Sequence, residues 1–208
     1  SPALSIEVFH NFTLLHDDIM DKAPLRRGNA TVHEKWDDNA AILSGDTMMI
    51  QAYQLLSKVD DEKLRKVLEV FSKAATEVCE GQQWDIDFET QNNVEISEYM
   101  KMIEYKTAVL LAASLQIGGI TGGASIQEQK NLYEFGRNIG IAFQLKDDLL
   151  DAFGNPDTFG KQVGGDIMSN KKTYLYLKAI EAASDKQKNE LKKYFSISDT
   201  STEKVNAV

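Results

Sequence analysis

Three observations predict an all-helical fold. The β-branched runs that mark strands are missing. Only 3 prolines and 13 glycines interrupt 208 residues. Apolar residues recur at steps of three and four through most of the chain. The length suffices for one domain, residues 1–208, with a sizeable core. Hydrophobic content is 42%, yet no window approaches about eighteen consecutive apolar residues, so no membrane span is expected. The N-terminal SPALSIEVFHN lacks the basic start of a signal peptide. A single cysteine, Cys79, excludes an internal disulfide framework, suits a reducing cytoplasm and reads as a small buried hydrophobe. The net charge of −9 argues against nucleic acid as the main partner, and against a polyanionic ligand unless cations accompany it.

The first helix spans residues 1–22 on the stripe Leu4, Val8, Phe12, Leu15 and Ile19. It stops before Pro24, because the residue ahead of a proline avoids the α region. LRRGNATVHEKW reads as a loop, and a second helix runs from about Asp37 to Lys58. Asp60 caps a third, Asp61 to about Phe88, with Leu64, Val67, Leu68, Phe71, Ala74, Ala75 and Val78 inward. The next positions on that stripe are Gln82 and Asp85. Polar groups at core positions need partners, so the helix either lines a wet cavity there or surfaces. TQNNVEISE, with Ser97 as N-cap, leads to a fourth helix from Glu98 to Ile117, on which Ile103, Leu110 and Ile117 repeat by seven. Lys106 falls inside that stripe, where an ammonium must be paired, reach an anion or snorkel outward. IGGITGG ends the helix with capping glycines. The fifth helix, Ile126 to Ala152, carries the stripe Leu132, Phe135, Ile139, Ala142 and Leu149. FGNPDTFGKQVGGDIMSNKK is a polar, glycine-rich loop long enough to be an active-site lid. The remainder reads as two short amphipathic helices and a third from near Thr202.

Two segments carry the chemistry. LLHDDIMDKAPLRRG holds Asp17, Asp18 and Asp21 in the spacing DDxxD, followed by Arg26 and Arg27. On a helix Asp17 and Asp21 lie on one face about 6 Å apart, where two like charges are unfavourable. A hard divalent cation reverses that sign, and arginines beside it can fork onto phosphate oxygens. FQLKDDLLD repeats the spacing with Asp147, Asp148 and Asp151, and Lys161 and Lys171 follow in the loop. One acidic cluster is weak grounds, since such runs are common on solvated faces. Two carboxylate banks facing across a bundle core would hold several Mg²⁺ ions and neutralise a diphosphate, an effect worth several kcal/mol in the transition state. Asp18 and Asp148 point roughly 100° away from their neighbours, and complete the metal sets as ligands or stand behind them. His10, His16 and His33 lack the pairing zinc needs. His16 either orients Asp17 or is exposed.

Taken together these segments resemble the trans-isoprenyl diphosphate synthases, the polyprenyl synthetase family. LLHDDIMDKAPLRRG resembles the family's first aspartate-rich motif, and FQLKDDLLD its second. EGQQWDID, with Gln82 and Asp85, is similar to its GQxxD segment. YKTA supplies the Lys106–Thr107 pair, and GKQVGGDIMSNKKT, with Lys161, Asp166 and Lys171, the lysine-bearing lid. The resemblance spans essentially the whole chain. It implies an all-α bundle of the isoprenoid synthase type around a deep central cavity, usually a homodimer. It also implies head-to-tail prenyl transfer between an allylic diphosphate and isopentenyl diphosphate, with Mg²⁺, three per active site once diphosphate binds. Asp17, Asp21 and Asp147 would be the principal metal ligands. Arg26, Lys106 and Lys161 would hold the allylic diphosphate, with Lys171 nearby. Arg27 would face isopentenyl diphosphate, with Phe143 and Gln144 near its hydrocarbon part. Thr107 and Gln82 would lie close to the developing cation.

In the family, bulk upstream of the first motif closes the product tunnel. Phe12, five residues before Asp17, resembles the short-chain enzymes that make fifteen- or twenty-carbon products, although a helical wheel alone favours Phe9 and Thr13. The family's upstream Gly-Lys-Arg segment has no counterpart in the 208 residues, so the chain resembles an internal portion with weak or absent turnover. A class I terpene cyclase shares the first motif but usually replaces the second DDxxD. A non-catalytic subunit of a heteromeric synthase typically loses aspartates from one or both. A helical structural protein with solvated acidic runs would account for neither the paired motifs nor Lys106.

Overall fold

Helix α1 (Pro2–Met20) opens on a proline in its first turn, where a missing N–H is harmless. A small hairpin follows, β1 (Leu25–Arg26) antiparallel to β2 (Asn29–Ala30). Arg27 and Gly28 join the strands with φ of 52° and 77°. Two successive positive φ values give the turn whose twist matches a hairpin. The short α2 (Val32–Lys35) leads into α3 (Asp38–Leu56), which the Asp37 carboxylate caps by accepting from the Ala40 N–H at 2.8 Å. Then come α4 (Asp61–Thr90), α5 (Ile96–Ile103) and α6 (Val109–Gly122), the last two joined by a π-turn over Glu104–Ala108. The chain continues with α7 (Ile126–Phe153), α8 (Gly165–Met168), α9 (Tyr174–Ala182), α10 (Asp185–Tyr194) and α11 (Thr202–Ala207). This computed structural model describes residues 1–91, 93–154, 164–197 and 202–208. Among them no helix is long and apolar enough to cross a membrane.

The expected all-α class is observed, with local corrections. The segment read as a loop between Pro24 and Asp37 contains the hairpin and α2. Helix α5 starts at Ile96 rather than Glu98, because Glu95 is the cap and the Glu98 carboxylate accepts its N–H at 2.8 Å. Ser97 instead donates to the Glu95 carboxylate. IGGITGG does not end the helix at Ile117, since Gly118, Gly119 and Gly122 all stay helical. Only Gly123, with φ of 81°, takes the left-handed terminating conformation.

The described chain forms two compact units, Ser1–Thr76 with Leu110–Gly136 and Glu77–Val109 with Arg137–Val208. The core of the first gathers Phe9, Phe12, Ala52, Leu56, Val67, Phe71, Ile117 and Ile120. The Phe9 ring lies 5.4 Å from Phe12 and meets Phe71 edge-on at 5.1 Å. The core of the second gathers Phe88, Tyr99, Met102, Ile103 and Leu177. Ile103 and Ile117 serve different cores, one in each unit. In α1 the buried positions are Ser5, Phe9, Phe12 and Asp18, and Leu4 is exposed. Ser5 takes a core slot because its hydroxyl donates to the Ala52 carbonyl at 2.7 Å. On α7 the expected stripe is largely exposed at Phe135, Ile139, Ala142 and Leu149, while Gly136, Gly140 and Asp148 are buried. Cys79 is exposed, not buried.

Candidate active site

In the first unit, the aspartate motif occupies the last turn of α1, with Asp21 as its C-cap. Asp18 is buried at 5% exposure, and Arg26 on β1 forks onto it. The Arg26 Nε lies 2.8 Å from both Asp18 oxygens, and Nη2 lies 2.7 Å from Oδ1 and 3.3 Å from Asp17 Oδ2. Burial alone would lower the Arg26 pKa, but Asp18, with Asp17 and Asp21, raises it above the usual value. The hairpin is held to the helix end by the Ala23 N–H donating to the Asp18 carbonyl at 2.9 Å and by Thr31 Oγ1 donating to the Ala23 carbonyl at 2.7 Å. Asp17 is half-buried, while Asp21 and Arg27 are exposed. His16 turns toward α3: its Nε2 is 3.2 Å from the Ile42 carbonyl, its ring is 4.7 Å from that of Phe12, and Gly45 leaves it room. It is half-buried, and its Nε2 also lies 3.9 Å from Asp46 Oδ1. Phe12 and Phe9 both lie in the core.

The second unit pairs the polar residues that looked misplaced on apolar stripes. Lys106 donates to Asp85 Oδ2 at 2.6 Å, and Lys171 Nζ lies 3.4 Å from the same oxygen. Burial would raise the Asp85 pKa, but the two ammonium groups hold its carboxyl below the usual range. Gln82, one turn earlier, is half-buried. Thr107 Oγ1 donates to Gln144 Oε1 at 2.9 Å, and Gln144 Nε2 donates to Asp148 Oδ1 at 3.0 Å. The Tyr99 phenol donates to Asp148 Oδ2. Burial, with Asp147 beside it, raises the Asp148 carboxyl above the usual range against these donors. Asp151 accepts the Asp166 N–H at 3.0 Å. Burial and the Asp151 charge push the Asp166 carboxyl up to about 7. Phe143 is exposed. Lys161 lies outside the described residues, as does most of the glycine-rich loop before it. Sequence reasoning missed Tyr99, whose place on the apolar stripe of α5 hides its hydroxyl.

The polyprenyl synthetase profile matches residues 1–208. The chain belongs to the polyprenyl synthetase family. It is 49% identical over 181 residues to the geranylgeranyl diphosphate synthase of Methanosarcina mazei, a match covering 86% of this chain and 56% of that protein. It is 43% identical over 171 residues to the (2E,6E)-farnesyl diphosphate synthase of Mycobacterium bovis, covering 82% of this chain and 48% of that one. A crystal structure of geranylgeranyl pyrophosphate synthase superposes with a TM-score of 0.92 at 54% identity, over 99% of this chain and 63% of that one. A polyprenyl synthase from Caulobacter crescentus CB15, complexed with calcium and isoprenyl diphosphate, superposes with a TM-score of 0.90 at 30% identity, over 99% and 62%. The chain thus spans less than two thirds of the length of these relatives.

A divalent metal fits the polyprenyl synthetase residues present. Among the described residues no three acidic, histidine or cysteine side chains converge into a closed cage. Mg²⁺ does not require one, since one or two carboxylates with substrate phosphates and water complete its octahedron. The middle aspartate of each motif is buried and bonded to protein donors. The outer ones, Asp17 and Asp21 in one unit and Asp147 and Asp151 in the other, are half-buried or exposed hard-oxygen donors.

Proposed function

We propose that the chain carries the chemistry of a Mg²⁺-dependent prenyltransferase. It condenses an allylic diphosphate with isopentenyl diphosphate, head to tail, into a fifteen- or twenty-carbon trans-prenyl diphosphate. One observation carries this reading: both aspartate motifs keep all three carboxylates, and in each the middle one is buried and held while its neighbours remain closer to solvent. Asp17 and Asp21 in one unit and Asp147 in the other would hold Mg²⁺, which would supply Lewis-acid neutralisation of the departing diphosphate. Arg26, Lys106, Lys161 and Lys171 bind the allylic diphosphate. Arg26 has five N–H donors, enough to hold Asp18 and still reach a phosphate oxygen. The allylic C–O bond breaks, and the diphosphate leaves with the electron pair. Oxygen dipoles of Thr107 and Gln82 face the resulting cation and stabilise it. Isopentenyl diphosphate, oriented by Arg27, Phe143 and Gln144, attacks through its double bond, and loss of a proton to the departed diphosphate restores the alkene. Phe12 limits product length. A homodimer in the cytoplasm, reducing toward Cys79, completes the reading.

The test is incubation with Mg²⁺, labelled isopentenyl diphosphate and an allylic diphosphate, followed by analysis of chain length. Elongation that needs both substrates supports the proposal. Conversion of the allylic diphosphate alone supports a cyclase instead.

A further inference from the structure

The π-turn carrying Lys106 and Thr107 is flanked by two glycines that nothing above explains. A Cβ on Gly81 of α4 would stand 2.2 Å from the Lys106 backbone nitrogen, 2.7 Å from the Tyr105 carbonyl carbon and 2.8 Å from Lys106 Cα. A Cβ on Gly140 of α7 would stand 2.4 Å from Ala108 Cα and 2.7 Å from its Cβ. Both sets include main-chain atoms, which cannot swing aside as a side-chain tip can. One helical turn beyond each glycine sits the residue that grips the turn. Gly81 is followed at four by Asp85, which accepts from Lys106 at 2.6 Å. Gly140 is followed at four by Gln144, which accepts from Thr107 at 2.9 Å. Each flanking helix thus uses one face twice, first to admit the backbone and then to hold a side chain. Glu104, at the start of the turn, is tied by Lys101 at 3.5 Å and Arg137 at 3.3 Å.

We propose that Gly81 and Gly140 are positioning residues for prenyl transfer: together they seat the π-turn in the register that aims Lys106 at the diphosphate and Thr107 at the reacting carbon. The inference rests on the proposed function for what Lys106 and Thr107 meet, but not for the seating. A π-turn carries one residue more than the α-helix around it. Without its seat the segment relaxes toward α geometry, and one residue of slip turns Lys106 by about 100°.

The experiment compares the intact chain with Gly81→Ala, Gly140→Ala and a deletion of Tyr105. The deletion removes the extra residue while leaving α5 and α6 in phase, so it keeps the test open if an alanine variant does not fold. Amide hydrogen exchange at 104–108 is measured without substrate. Binding of geranyl thiolodiphosphate with Mg²⁺, and single-turnover condensation of geranyl diphosphate with isopentenyl diphosphate, are measured on the folded fraction. Each alanine variant is expected to speed exchange at the turn at least about tenfold, while the rest of the second unit changes less. Gly81→Ala and the deletion weaken binding at least about tenfold, and Gly140→Ala mainly slows turnover. A merely structural role would raise exchange uniformly and leave the folded fraction's affinity and rate unchanged. That result, or wild-type affinity in the deletion variant, overturns the proposal. If the unaltered chain binds no diphosphate, the proposed function fails and the aiming of Lys106 and Thr107 fails with it, while the exchange data still decide the seating.

Discussion

Asp18 and Asp148 occupy the same place in their motifs and are treated alike. Each is buried and accepts hydrogen bonds from protein donors, Arg26 for one and Tyr99 with Gln144 for the other. Removing such an acceptor takes a partner from half-buried Arg26 in one case and from buried Tyr99 in the other, and leaves the emptied buried site behind. Asp18→Ala should therefore lower stability by about 2 kcal/mol in metal-free buffer, whereas Asp17→Ala should be near neutral there and weaken Mg²⁺-dependent diphosphate binding. Denaturant unfolding and binding titrations separate the two. Asp85 gives a pH signature. Its folded pKa is depressed by Lys106 and Lys171, so its stabilisation is present above the unfolded carboxyl pKa and is lost as pH falls through the lower folded value. Asp85→Asn should accordingly be less stable than the wild type at neutral pH, and the gap should close below about pH 4. A gap independent of pH would contradict the charge pairing. At this scale the sequence singled out Gln82, Asp85 and Lys106 as polar residues on apolar stripes, and the structure pairs Asp85 with Lys106. Tyr99 did not, because a tyrosine in a core stripe needs no special account.

At the scale of elements, glycines mislead in one place and inform in another. IGGITGG reads as a stop signal, yet three of its glycines are helical and only Gly123 has positive φ. Alanine at Gly118, which is helical with nothing within 4 Å of an added Cβ, should stabilise the chain by up to about 1 kcal/mol. Gly123→Ala should destabilise it by about 1 kcal/mol or more. Thermal melting of the pair checks both signs. The long helices α1, α3, α4 and α7 followed from caps and periodicity, whereas the short α2 and α8 did not. The π-turn did not, because a single inserted residue leaves a seven-residue repeat looking intact on a wheel. The buried face of α7 is hidden for a related reason: it packs through Gly136 and Gly140, which carry no apolar side chain to mark it. Phe12, read as a tunnel floor, is also a core residue. Phe12→Ala should both lengthen the product and cost about 3 kcal/mol of stability, so product distributions need comparison at equal folded fraction.

For the whole molecule, the acidic balance and the proposed polyanionic substrate are reconciled by cations. A chain of net charge −9 has no general attraction for diphosphate. Neither the division into two units nor the pairing of the described lysines and arginines with carboxylates could be read from composition, since both depend on long-range packing. The most direct test of the account is a Mg²⁺ titration with a non-hydrolysable allylic diphosphate, performed on the wild type, on Asp17→Ala/Asp21→Ala and on Asp147→Ala/Asp151→Ala. The account predicts Mg²⁺-coupled binding in the wild type and its loss in both double variants. Wild-type binding by either variant would contradict a function that needs both aspartate motifs.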